Sequence, residues 1–412
     1  MRIAIVGAGI SGLLTTYLLH REHEITVYEA NDYPGGHTHT VDVTVDNQSY
    51  AVDTGFIVYN DWMYPNFIKL LDQLGVANQP TTMSFSVSSE KTGLEYNGTS
   101  FNSLFAQRRN LLRPSFYRMI RDIVRFNRES LELLKESEGP TLGEYLQQNR
   151  YSAQFIENYI TPMGAAVWSA PLGQMAAFPA RSFVEFFNNH GMLNVNNRPQ
   201  WRSIKGGSRE YVKKLTSSFA KSIRLNSPVT AVQRAADGVT VTSCGKKEYF
   251  DRVILACHSD QALAMLADPS VAEREILGSI PYQYNETVLH TDQALLPRNK
   301  RAWASWNYRL PRTDSANVTV TYNMNMLQTI QAPVEFCVTL NQTDEIDPAK
   351  ILRRINYHHP VYTHATVRAQ KRRAEISNVN RTHYCGAYWE YGFHEDGVRS
   401  ALAVCRDFGV AL

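Results

Sequence analysis

The chain of 412 residues contains no apolar run near the roughly 20 residues that a bilayer crossing needs, so no membrane-spanning helix is predicted. Cysteine is scarce: Cys244, Cys257, Cys337, Cys385 and Cys405 are five in number, widely scattered and without a CxxC pair. That odd, dispersed set reads as reduced packing residues, not as a disulfide scaffold or a thiolate metal site. Charge of one sign is lacking too. The 42 Lys and Arg against 39 Asp and Glu leave a net charge of +3, too small to imply nucleic-acid binding. No internal repeat or low-complexity linker is visible. Length and a hydrophobic content of 43% fit a globular protein of two or three units able to bury sizeable cores. The first residues already read as a strand, leaving no space for a leader, so a cytoplasmic location is expected.

What is present begins at Arg2. An apolar strand, Ile3 to Val6, runs into Gly7-x-Gly9-x-x-Gly12; a helical pattern follows, and a second strand, Ile25 to Tyr28, ends at Glu29 and Ala30. In such a unit Gly7 allows the tight turn, Gly9 leaves room for a pyrophosphate, and Gly12 lets the helix pack on the sheet. The free amides of the helix start, at Ile10 and Ser11, face the phosphates, and Glu29 accepts from ribose hydroxyls. Strand, helix, strand and acid together predict a site for the ADP half of a dinucleotide.

A few residues later the chain reads Gly35-Gly36-His37-Thr38, and near its end Tyr384-Cys385-Gly386-Ala387-Tyr388-Trp389, then Phe393-His394-Glu395-Asp396-Gly397-Val398. These motifs resemble the FAD proteins related to the flavin amine oxidases and phytoene desaturases. In that family a glycine pair follows the acid at this spacing, usually before an arginine, where this chain has His37. The resemblance implies that Gly386, Asp396, Gly397 and Val398 lay a helix start against the flavin pyrimidine ring, where amides favour negative charge. It also implies that Asp53, Thr54 and Gly55 approach the flavin, and that a strand at Val229 passes the adenine. A single Asp-Thr-Gly directly after a dinucleotide unit argues against an aspartic protease dyad. FAD, held without a covalent bond, is the expected cofactor, and Cys385 is read as a small buried residue in preference to a thioether.

The fold class expected is α/β: a discontinuous Rossmann-like FAD-binding domain with a mixed α+β substrate domain, amine-oxidase-like in arrangement. Residues 1–56, 201–280 and 366–412 are assigned to the first, residues 57–200 and 281–365 to the second. The first insert reads as largely helical (Tyr64 to Leu74, Ser115 to Lys135, Thr141 to Asn149, Phe183 to Asn188). The second reads as strands over Glu286 to Asp292, Ala302 to Tyr308, Val318 to Asn323 and Phe336 to Asn341.

Catalytic residues are less legible. His37 and His39 alternate, but no cysteine or acid cluster completes a metal site, and hydrogen bonding near the cofactor is the better reading. His290 is a weak candidate that faces the cleft, and Tyr388 and Trp389 are weak candidates for the wall of an apolar channel. No lysine occurs over Thr287 to Leu295, where many flavin amine oxidases present one near flavin N5, which disfavours amine oxidation. Between Gln107 and Glu129 lie Arg108, Arg109, Arg113, Arg118, Arg121, Arg125 and Arg128, interleaved with apolar Phe116, Met119, Ile120, Ile123 and Val124. Such a segment is either a core helix with a solvated basic face or a peripheral contact with an anionic membrane.

Over essentially the whole chain, the blocks GGHTHTV, VDTGFIVYN, YPNFIKLL, GGSREYV and GAYWEYGFHEDGVRSA resemble a bacterial group of FAD-dependent oxidoreductases associated with cyclopropane-type fatty acid modification. The resemblance implies an enzyme that moves hydride from a lipid acyl chain to flavin N5. Isoprenoid or carotenoid desaturation and amine oxidation are the alternatives; a non-catalytic flavin-binding accessory of a lipid methyltransferase is the alternative from another class.

Overall fold

The computed structural model describes residues 1–135, 139–168, 172–194, 196–312 and 319–412. Among them the nucleotide unit builds a parallel sheet in the order Ile223–Arg224, Glu24–Tyr28, Arg2–Val6, Arg252–Leu255, Thr382–Tyr384. Its central strands are apolar on both faces, as a sheet covered on both sides requires, and Ile3, Ala4, Ile5, Val253, Ile254 and Leu255 are fully buried. Helix Ile10–Leu19 packs beside the C-terminal helix His394–Asp407 on one face, forming a core with Leu13, Leu14, Val398, Ala401 and Val404. The other face carries an antiparallel meander, Val229–Arg234, Val239–Ser243 and Lys246–Phe250.

The second sheet joins distant segments in the order Ile351–Pro360, Tyr282–His290, Cys337–Leu340, Val320–Asn323, Trp306–Leu310, Phe85–Ser89, Leu94–Asn97. The predicted strand over Val318 to Asn323 is seen as Val320–Asn323, and Val318 itself lies outside the described residues. The stretch read as a strand from Ala302 starts only at Trp306, because Lys300–Ala302 forms a 3-10 turn capped by Asn299.

The first insert departs more from expectation. Its helices are there, as Pro65–Gln73, Pro114–Glu129, Leu142–Gln148 and Ala180–Asn189. It also supplies strands Val58–Asn60, Asn78–Thr81, Phe85–Ser89 and Leu94–Asn97, which sequence reading did not foresee. They are short and mostly polar (NQPT, FSVSS), so alternation is faint. The first three have partners, Trp201–Ile204 and Trp306–Leu310, more than a hundred residues away, while Leu94–Asn97 pairs back on Phe85–Ser89. Helix Pro114–Glu129 buries Phe116, Met119 and Phe126, whereas Val124, assigned to its apolar side, is 58% exposed.

Candidate functional site

The glycine turn has little space to spare. A Cβ at Gly12 would lie 2.0 Å from the Gly7 carbonyl oxygen, so only glycine lets the helix start so close to the first strand. A Cβ at Gly9 would meet nothing within 4 Å, which leaves open space in front of the helix N-terminus. The Gly35 amide donates to the Ala8 carbonyl at 2.7 Å, bringing Gly35 and Gly36 directly over this turn. Glu29 is buried; its Oε2 accepts from the Ala8 amide at 2.8 Å and its Oε1 from the Asn31 amide at 2.9 Å. Asn31 Nδ2 also donates to Oε1 at 2.9 Å, so it is Oε2, with one donor, that retains a further lone-pair direction. Ala30 beside it is exposed, and the Ser227 amide donates to the Glu29 carbonyl at 2.8 Å, which brings the segment leading to Val229 to the same edge.

The other end is built by the C-terminal block. Asp396 caps helix His394–Asp407 by accepting from the amides of Phe393 at 2.9 Å and Tyr391 at 3.1 Å. Burial, reinforced by nearby Glu390, outweighs those donors and pushes its carboxyl up to about 8. Gly386 donates its amide to Ser400 Oγ at 2.9 Å, and Ser400 donates in turn to the Gly397 carbonyl at 2.8 Å. Val398 is fully buried between the two helices.

Asp53 occupies the centre of a clamp. Its carboxylate accepts from the Ser208 amide at 2.9 and 3.0 Å, from Ser208 Oγ at 2.8 Å, from Thr40 Oγ1 at 2.5 Å and from Gln328 Nε2 at 3.0 Å. Burial raises it to about 6 despite these donors. Asp53 therefore ties hairpin Thr40–Val45 and Gln48–Asp53 to the turn at Gly206-Gly207-Ser208. Thr54 Oγ1 donates to the His39 carbonyl at 3.0 Å and lies 2.9 Å from Tyr357 Oη; at Gly55 a Cβ would lie 2.2 Å from the His37 carbonyl oxygen.

His37 and His39 take different neighbours. His39 stacks on Tyr33 at 4.4 Å and bonds Tyr357 Oη at 3.1 Å. His37 stacks on Tyr357 at 4.9 Å and lies 5.6 Å from His359 and 6.0 Å from His258; burial lowers it to about 4, and its Nε2 is buried without a partner. Among the described residues no group of three or more His, Cys, Asp or Glu is placed to hold a metal ion. Thr38 Oγ1 lies 2.6 Å from Tyr211 Oη, which is 2.8 Å from His394 Nε2, and His394 stacks on Phe56 at 3.7 Å. Sequence reading missed Tyr211, Tyr357, His258 and Gln328 at this site. His394, Ser208 and Tyr211 itself stood inside motifs it had quoted, without a role assigned, whereas Tyr357 carries no local signal.

The catalytic candidates do not gather there. His290 is fully buried; its Nδ1 accepts from the Asp292 amide at 3.0 Å, so the neutral ring donates from Nε2 to Thr339 Oγ1 at 2.7 Å. Both nitrogens are used inside the sheet, which corrects the expectation that His290 faces the cleft. Tyr388 and Trp389 are buried in the core beneath the parallel sheet with Leu255 and Tyr384, and of the two only Trp389 borders an open cleft among the described residues. Tyr391 and Phe393 instead reach the helical insert, where Phe186 lies 4.7 Å from Phe393 and 5.9 Å from Tyr391. From Phe186 an aromatic cluster continues to Trp168 at 4.9 Å and on to Phe183, which stacks with Phe187 at 4.1 Å. Cys385 is buried against Thr15 with its thiol pushed up to about 12, unsuited to a nucleophilic role. A cleft of about 380 Å³ on the outer side of the C-terminal helix, lined by Arg399, Leu402, Ala403 and Arg406, has only Trp389 in common with the residues singled out from sequence.

The donor set fits a dinucleotide. Open space lies in front of Gly9 at a helix start, a buried carboxylate stands at the end of the second strand, and an orphaned imidazole nitrogen is held beside the Gly35-Gly36 turn. The comparisons agree. Residues 10–328 match the model of the flavin containing amine oxidoreductase family. A protein of Mycobacterium tuberculosis named as a flavin-containing monoamine oxidase is 24% identical over 340 residues, covering 78% of this chain and 70% of that protein. Cyclohexylamine oxidase from Brevibacterium oxydans superposes with a TM-score of 0.69 at 14% identity, covering 99% of both chains. A fatty acid isomerase from P. acnes, described as producing CLA, superposes with a TM-score of 0.70 at 16% identity, over 99% of this chain and 98% of that one. With the family model covering most of its length, the chain belongs to the flavin containing amine oxidoreductases and is an FAD-dependent oxidoreductase of amine-oxidase-like fold.

Proposed function

We propose that the chain oxidises an apolar substrate, foremost the acyl chain of a lipid, by hydride transfer to flavin. Bound FAD supplies the hydride acceptor at N5. The observation that carries this reading is the aromatic cluster Trp168, Phe183, Phe186 and Phe187 reaching Phe393 and Tyr391, the residues that open the C-terminal helix. These rings are packed as core, and an apolar core that reaches the flavin end of the site suits a hydrocarbon and excludes water from a hydride step. Gly7, Gly9, Gly12, Glu29, Gly35 and Gly36 hold the ADP half, and His37 offers its unpartnered nitrogen where the family carries arginine. Gly386, Gly397 and Val398 bring a helix start to the flavin, whose reduced form favours amide donors. The residues so assigned divide the chain into a flavin unit from 1–56, 201–280 and 366–412 and a substrate unit from the remainder.

Amine oxidation is the second reading, favoured by the names of the Mycobacterium tuberculosis relative and of cyclohexylamine oxidase. Against it, strand Tyr282–His290 carries no lysine, and Lys350 beside it pairs with Asp292 at 3.0 Å. Anaerobic visible spectra of the purified holoprotein, mixed with host lipid extract or with primary amines, separate the two. Bleaching by lipid with loss of two hydrogens from an acyl chain supports the first; bleaching by amines supports the second. Flavin that no lipid or amine reduces moves the reading to an accessory of a lipid methyltransferase.

A further inference from the structure

Helix Pro114–Glu129 and the 3-10 turn Arg108–Leu112 before it form one surface with an unusual composition. From Phe101 to Glu129 the sequence holds seven arginines and two acids: Asp122, which is buried and accepts from the Ser152 amide at 3.0 Å, and Glu129, which lies 3.5 Å from both Arg125 and Arg128. Arg125 also turns inward, 3.9 Å over the Tyr151 ring. The outward stripe is Tyr117, Arg121, Val124 and Arg128, at the spacing of successive turns, with Arg118 beside it. Tyr117 Oη donates to the Leu111 carbonyl at 3.0 Å, folding Leu111 and Leu112 back onto the same side. Leu112 is 88% exposed, Val124 58% and Phe101 71%. Phe101 joins the patch through Phe105, 4.7 Å away, whose ring lies 6.1 Å from Tyr117.

Tertiary structure adds charge that no local reading provides. The Glu95 carboxylate accepts from the amides of Arg298 at 3.1 Å and Asn299 at 2.9 Å, and Asn299 donates to the Ala106 carbonyl at 2.7 Å. The exposed side chains of Arg298, Lys300 and Arg301 are thereby fastened beside the Arg108 turn. A merely solvated helix face would mix acids with bases and leave few aliphatic side chains protruding.

We propose that this composite surface is a docking face for an anionic lipid bilayer. Leu111, Leu112, Tyr117 and Val124 enter the boundary between headgroups and acyl chains, while Arg121 and Arg128 bind lipid phosphates. Exposed leucines between arginines favour a bilayer over nucleic acid, whose phosphates need no aliphatic partner. The inference deepens the acyl-substrate reading, and its test reads binding without turnover, so either can fail alone.

The test is sedimentation of the FAD-loaded protein with vesicles of phosphatidylcholine alone or with phosphatidylglycerol added. The expected result is partition onto the anionic vesicles that weakens as salt rises. At about fivefold per basic residue, the triple variant R118E/R121E/R128E lowers partition roughly a hundredfold. The double variant L111S/L112S lowers it at least about tenfold, while K246E/K247E, on a distant exposed strand, leaves it unchanged. Absence of partition onto anionic vesicles overturns the proposal. So does an equal loss in K246E/K247E, or binding to duplex DNA that L111S/L112S leaves intact. A dimer abolished by L111S/L112S, with vesicle binding untouched, overturns it as well.

Discussion

Ser11 donates its hydroxyl to the carbonyl of Gly397 at 3.1 Å, across 386 residues of chain. That bond, beside the apolar packing of the same two helices, ties the first helix of the nucleotide unit to the first turn of the last helix, and so couples the two ends of the proposed dinucleotide site. A Cβ at Gly397 would come within 2.8 Å of Ile10 Cγ2 and 3.1 Å of Ser11 Oγ. Gly397→Val is therefore expected to cost about 1–3 kcal/mol through overpacking and to release flavin. Thermal melts and the flavin-to-protein absorbance ratio after desalting check both; a wild-type ratio would mean the helix spacing does not govern cofactor retention.

Glu29 already anchors the Ala8 and Asn31 amides, so its loss acts on the glycine turn as well as on the proposed ribose contact. Glu29→Ala is expected to weaken FAD binding about tenfold or more, the worth of a hydrogen bond to a charged group. Fluorescence titration of apoprotein measures it, and unchanged affinity would remove Glu29 from the site.

The four donors around Asp53, with five contacts to its carboxylate, make it a positioning residue. Asp53→Ala leaves the Ser208 amide and hydroxyl buried without an acceptor, and a loss of about 2–4 kcal/mol in urea unfolding is expected. Asp53→Asn should recover little, because its amide nitrogen meets donors. An unchanged midpoint in Asp53→Ala would show that the clamp carries no stability.

Burial lowers His290 to about 4, from the usual value of 6.5. As pH falls below 6.5 the unfolded chain takes up a proton that the folded ring refuses, so stability is lost between pH 6.5 and 4, by at most about 1.4 kcal/mol per pH unit. His290→Gln retains a donor for Thr339 Oγ1 without a titrating group. Its denaturation midpoint should therefore fall less than that of the wild type between pH 7 and pH 5, with flavin reduction unaffected. Loss of flavin reduction at intact stability would restore His290 as a catalytic candidate.

The nucleotide unit and the terminal block were legible in sequence because their signals are local. Gly12 is required by a clash with Gly7 only five residues away, Glu29 closes a strand whose partner is the preceding one, and Gly386 to Val398 sit in one continuous turn and helix. Where the same reading missed, the partner was remote. Phe85–Ser89 is a strand because Trp306–Leu310 lies beside it, and His290 is spent because Thr339 crosses from the next strand.

The sequence by itself thus determined the class of cofactor and the two motifs that frame it, since glycine conformation, helix ends and apolar periodicity act over a few residues. Tertiary structure alone decided that Asp53 is a clamp, that Tyr388 and Trp389 are core, and that Phe186 meets Phe393. It also decided that Arg298 to Arg301 join the arginine-rich turn. Each of these depends on which distant side chain consumes a donor, fills a volume or adds a charge, and that is set only when the chain packs.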